Sequence, residues 1–168
     1  MRKVALLEIT PNRPESICKD FMGGYGWAFK VGNSFRARAI EFVKKRGEVM
    51  PNVLLGYMAA IFSENGWQVE VLKDVIPEAE LIIIPSSMVD YRNEAEWAKK
   101  LKVQNKIVGF FGPFAGAKPE LYMPPADFII SGEPEAAVLA IARGAILPQG
   151  VISLPPVADL DALPFPKW

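Results

Sequence analysis

Four short apolar runs set the strongest limit on what this chain can fold into. They are KVALLEI (3–9), ELIIIP (80–85), KIVGFF (106–111) and DFIIS (127–131). Each is rich in β-branched or aromatic residues and bounded by polar or turn residues, the pattern of strands covered on both faces. A further stretch, WQVEVL (67–72), alternates instead and suits a strand nearer an edge. Helical segments separate most of these runs. NVLLGYMAAIFSENG (52–66) is apolar nearly all round, with Asn52 as N-cap and Gly66 as the left-handed residue past its end. DYRNEAEWAKKLK (90–102) is amphipathic, with Tyr91, Ala95, Ala98 and Leu101 on one face. GEPEAAVLAIARG (132–144) places Pro134 in the first turn, Glu133 and Glu135 at the positive end of the helix dipole, and Arg143 and Gly144 at its close. Only a short link through Pro77 joins the strands at 67–72 and 80–85, so no helix is expected there. This alternation predicts an α/β domain with an open, mostly parallel five-stranded sheet and helices on both faces.

In such sheets ligands sit at the carboxyl ends of the strands, near the point where strand order reverses. That rule selects residues 10–51, 86–90, 112–117 and 132–135. The first is an insertion of about forty residues, where a loop of ~2–6 is usual. It holds FMGGYGWAFKVG (21–32) and a helical stretch, NSFRARAIEFVKKRG (33–47), with Phe35, Ala39, Phe42 and Val43 on one face, Asn33 as cap and Gly47 as terminator.

The composition removes several chemistries. Among 168 residues there is no histidine and one cysteine, Cys18. Zinc sites built on Cys and His, an iron–sulfur cluster held by this chain alone, and the Ser-His-Asp and Cys-His mechanisms are therefore excluded. Lys plus Arg equals Asp plus Glu at 19 each, which gives no field for gathering nucleic acid or an anionic membrane. The basic face RARAIEFVKKR (36–46) reads as a solvated helix surface. No apolar run approaches the ~20 residues of a membrane span. Glu8 interrupts the first apolar run, which is too short for a signal peptide, so the cytoplasm is the expected compartment.

Each candidate site segment has two readings. In GGYGWA (23–28), Gly24 and Tyr25 could pack over a flat ligand or a neighbouring domain; the strand–turn–helix context of a dinucleotide fingerprint is missing. Ser86, Ser87 and Met88 end the third strand, where the hydroxyls either bond a ligand or cap the next helix. In GFFGPFAG (109–116), Gly109 and Gly112 permit close approach of a ligand beside Phe111 and Pro113, or the segment is a Pro-set turn with a hydrophobic plug. Gly132 and Glu133 open a strand-to-helix turn whose free N–H groups accept a ligand, or Glu133 caps the helix. No catalytic residue and no metal ligand is assigned. A phosphoacceptor receiver is disfavoured, because Glu8-Ile9-Thr10 and Ser86-Ser87-Met88 lack the clustered acids it needs.

Taken together these residues resemble a known family. PNVLLGYMAAIFSENGWQVEVLKD (51–74) is similar to the P-x-x-LGY-x-AA stretch of cobalamin-binding-like domains that precede radical SAM domains. ADFIISGEPE (126–135) resembles their fifth strand and G-E-x-E turn, and GFFGPFAG stands where many members carry a G-G-P-H-x-T turn, with Phe114 at the histidine. GVISLPPVADLDALPFPKW (150–168) resembles the linker into the radical SAM barrel. The resemblance implies a flavodoxin-like, Rossmann-like B12-binding fold with strand order 2-1-3-4-5. It divides the chain into a cobalamin-binding-like domain at 1–150 and a linker at 151–168. It implies cobalamin held without a histidine beneath cobalt. The nucleotide tail would run among Ser86, Ser87, Gly109, Gly112 and Gly132, and the corrin would lie across the strand ends beneath the insert. The [4Fe–4S] cluster and S-adenosylmethionine would belong to a radical SAM partner domain, after Trp168 or supplied separately. The alternative is a cofactor-free docking or substrate-shaping domain of the same fold.

Overall fold

The computed structural model describes residues 2–10, 32–46 and 52–167. The apolar runs become strands: β1 (Lys3–Glu8), β2 (Gln68–Lys73), β3 (Leu81–Pro85), β4 (Ile107–Phe111) and β5 (Phe128–Ser131). A further strand, β6 (Gly150–Ser153), joins them. The sheet has six strands in the order β2-β1-β3-β4-β5-β6, every pair parallel. The open α/β architecture and the 2-1-3-4-5 order are as expected from sequence, while the number of strands is corrected from five to six.

The additional strand lies at the start of the stretch read as a linker. Its four residues pair with β5 from Phe128↔Gly150 to Ser131↔Ser153. GVIS carries no apolar run because only one face of an edge strand is covered: Ile152 is buried while Val151 and Ser153 are exposed. Beyond it the chain stays on the domain. Leu154 and Leu163 pack against the core, Lys167 N–H donates to Gly56 O (3.1 Å), and its Nζ donates to Ser63 Oγ (3.1 Å).

Helices α2 (Val53–Glu64) and α5 (Pro134–Ala142) cover one face of the sheet. There Leu55, Met58 and Phe62 meet Val4, Leu6, Ile83, Phe128, Val138 and Ile141. Asn52 caps α2 as expected, its side chain accepting from Leu55 N–H at 3.3 Å, and Gly66 takes φ +80 past its end. The two helices finish together, where Trp67 Nε1 donates to Ala142 O (2.9 Å). They both run against the strands, so each begins at the carboxyl rim of the sheet.

The other face carries α3 (Tyr91–Val103) and the short α4 (Pro113–Ala117), around Ala98, Leu101, Ala115 and Tyr122. Neither reading of the GFFGPFAG segment includes the helix α4; Gly112, at φ +119, lets the chain leave β4 sharply enough to start a helix at once. Helix α1 (Phe35–Arg46) forms as predicted, but its expected apolar face is exposed at Phe35, Ala39, Phe42 and Val43. Its proposed terminator Gly47 lies outside the described residues, as do Gly24 and Tyr25. No helix among the described residues is long and apolar enough to cross a membrane.

Candidate functional site

Strand order reverses between β1 and β3, and the described residues that follow β1, β3, β4 and β5 lie at the same rim. Beside β1, Thr10 N–H donates to Asp74 Oδ1 (2.7 Å), and Asn93 Nδ2 reaches across to Thr10 O (3.4 Å) while donating to Asp90 Oδ2 (2.8 Å). An open depression of about 790 Å³ follows the first turns of α3, lined by Met88, Tyr91, Arg92, Asn93, Glu96 and Lys100 among others. Arg92 lies over the Tyr91 ring and donates from Nε to its hydroxyl, so its charge is turned toward its own helix.

The two serines after β3 are wholly buried. Ser86 Oγ accepts from Ala115 N–H (3.2 Å), tying α4 to the end of β3. Ser87 Oγ donates to Glu94 Oε1 (2.8 Å) and accepts from Asp90 N–H (3.2 Å). Glu94, a carboxylate with no exposed surface, also accepts from Ser87 N–H and from Tyr122 Oη–H, each at 2.9 Å through Oε2. Of the two readings of this segment, the hydroxyls here serve the chain's own helices. Met88 points outward, more than half exposed.

Burial pushes the Tyr122 phenol well above its ordinary range, and the adjacent Glu94 carboxylate adds to the shift. The unfolded chain ionises near pH ~10 while the folded one keeps its proton. The unfolded state then binds fewer protons, so stability is fully present below that pH and falls as pH rises above it. Urea midpoints recorded from pH 8 to 11 are expected to drop above about pH 10. In Tyr122→Phe that decline should be shallower; an equally steep decline would show that another group governs it.

At the end of β4 the glycines accommodate the chain itself. A Cβ on Gly109 would lie 2.1 Å from the ring of Phe128, so the space beside this glycine holds that ring. A Cβ on Gly112 would stand 2.8 Å from Ser86 Oγ, and one on Gly116 would stand 3.3 Å from Ser131 Cα. Phe111 is buried in the core beneath α2 and α5, Pro113 starts α4 in the open, and Phe114 sits between Tyr91 and Tyr122 at ring distances of 5.8 and 6.3 Å. The plugged turn is the reading that this geometry carries.

The β5 sector is different. Gly132 is exposed, at φ +87, with nothing within 4 Å of where a Cβ would be, and Glu133 is exposed and makes no capping bond. Two buried side-chain atoms among the described residues have no hydrogen-bond partner: Asn52 Nδ2 and Glu135 Oε2. One is a donor at the start of α2 and the other an acceptor in the first turn of α5. Such atoms are rare in native packing.

The structure thus brings Ser86, Gly112 and Pro113 together around α4, turns Ser87 toward α3, sets Gly109 and Phe111 in the core, and leaves Met88, Gly132 and Glu133 on the open rim. Sequence reasoning missed Glu94 and Tyr122 as partners of Ser87. The signal for Glu94 was its place on the buried stripe with Ala98 and Leu101; nothing local marked Tyr122. Asn52 and Glu135 were read only as cap and dipole residues. No cluster of His, Cys, Asp and Glu suited to a metal ion occurs among the described residues. Set against family models, curated proteins and solved structures, the chain matches none.

Proposed function

We propose that this chain is a cobalamin-binding-like module of a radical SAM enzyme, presenting a corrin at the open β5 sector of its sheet without a histidine beneath cobalt. The observation that carries this reading is the exposed Gly132–Glu133 turn at the carboxyl rim of a wholly parallel sheet, with nothing within 4 Å of where a Cβ on Gly132 would be. The fit is divided. The ring edge suits the exposed Gly132–Glu133 turn, whereas a nucleotide tail beside Gly109 does not suit a space filled by Phe128.

When bound, the cofactor would supply methyl transfer or support for radical chemistry in a partner domain holding the [4Fe–4S] cluster and S-adenosylmethionine. This chain's residues would orient it: the backbone of Gly132 close beneath, Glu133 and Met88 on the rim. The expected setting is the cytoplasm. A second reading, a cofactor-free docking or substrate-shaping domain of the same fold, is favoured by the Phe128 ring beside Gly109 and by the internal bonds of Ser86 and Ser87.

Hydroxocobalamin mixed with the purified protein, desalted and read by visible absorption separates the two. Retained corrin near one equivalent is expected. A colourless protein fraction would reject the leading reading in favour of the second.

A further inference from the structure

We propose that residues 154–167 form a strap that docks on a row of small residues along α2 and detaches from it while the sheet stays folded. The inference is independent of what the rim binds.

The docking row is built into the helix. Gly56, Ala60 and Ser63 follow one another at spacings of four and three, so they share one side of α2. Gly56 and Ala60 are buried. Lys167 spans the row: its backbone N–H donates to Gly56 O (3.1 Å), and its Nζ donates to Ser63 Oγ (3.1 Å). Glycine is a poor helix former, and inside a helix its missing side chain lets the backbone of another segment come close. Here that segment is the strap.

The strap is held lightly. It leaves β6 through Pro155 and Pro156, both exposed, and folds into a short 3-10 turn at Leu160–Ala162, where Asp161 N–H donates to Asp159 Oδ1 (3.1 Å). Leu154 and Leu163 pack against the core, and both stay partly exposed. Phe165, the largest side chain of the strap, is 92% exposed between Pro164 and Pro166 and does nothing to hold it down. The bond from Lys167 Nζ is open to water. The four prolines pre-set φ, so the strap loses little entropy on returning to its row. A segment with few buried contacts and exposed bonds opens locally, ahead of the global transition. Ser153, just before the strap, pairs with Ser131, and the open turn at Gly132 and Glu133 follows directly. Detachment therefore bares the row on α2 next to the carboxyl rim.

Native-state amide hydrogen exchange of the full chain, read by NMR across low urea concentrations, tests this. The Lys167 amide should be protected, because it donates to Gly56 O. It should still exchange at least about a hundredfold faster than Ile83 and Phe110 in the central strands. Its rate should not change with urea, since a local opening exposes little surface. Protection equal to that of the sheet, with the same urea dependence, would show that the strap opens only on global unfolding and would overturn the proposal. An unprotected Lys167 amide would overturn it equally, because the strap would then not be docked. Ser63→Ala should speed exchange at Lys167 by about threefold and leave Ile83 and Phe110 unchanged. Gly56→Leu, which sets a bulky chain on the row, should abolish the Lys167 protection while the sheet amides stay slow. Unchanged Lys167 exchange in Ser63→Ala, or in a folded Gly56→Leu protein, would overturn the docking row. The wild-type comparison needs neither variant.

Discussion

Gly109→Ala is expected to destabilise the domain by about 3 kcal/mol, the upper range for overpacking a well-filled core. The added methyl group would fall 2.1 Å from a ring carbon of Phe128. Gly109 sits within a central strand, paired with Ile83 on one side and Phe128 on the other, so neither backbone can draw away without breaking the ladder. Phe128→Ala alone should cost about 3–5 kcal/mol through the cavity left by the ring. In the double variant the methyl enters that cavity, and the two losses should fall short of their sum by about 1–3 kcal/mol. Urea unfolding of the four proteins measures this coupling. Simple additivity, or a Gly109→Ala cost below about 0.5 kcal/mol, would mean that the ring is elsewhere and the slot beside β4 open.

Glu94→Ala should cost about 3–5 kcal/mol, because three donors would lose their acceptor in a site without solvent. These are the Ser87 N–H, the Ser87 hydroxyl and the Tyr122 hydroxyl, at 2.8–2.9 Å. Glu94→Gln retains one acceptor oxygen but sets an amino group against the remaining donors, so an intermediate loss is expected. Tyr122→Phe removes a donor and its partner's need is still met by Ser87; its cost at neutral pH should be only about 1 kcal/mol. The ordering Ala, then Gln, then Tyr122→Phe in chemical denaturation is the result to look for. A Glu94→Ala cost below about 1 kcal/mol would show that the carboxylate is not the hub joining β3, α3 and the Tyr122 segment.

How much of this was legible beforehand follows from the range of each interaction. The four strands covered on both faces are continuous apolar runs, β2 alternates as an edge strand does, and periodicity alone exposes all five. Asn52 and Gly66 mark the ends of α2 through local backbone requirements, which a single sequence also shows. β6 escaped because an edge strand buries one side chain, Ile152, and four residues of mixed polarity resemble a linker. The rim was harder. Serines ending a strand satisfy either a ligand or a helix, and the choice here was made by Glu94 and Ala115, seven and 29 residues away in the chain. Glycines in GFFGPFAG marked close approach correctly, but what approaches is Phe128, Ser86 and Ser131 of the same chain.

The most direct test of the central claim is a map of backbone amide shifts on adding hydroxocobalamin to isotope-labelled protein. Movements concentrated at Gly132 and Glu133, with Gly109 and Phe128 still, are the predicted result. Movements centred on Gly109 and Phe128, or none anywhere at saturating corrin, would contradict it.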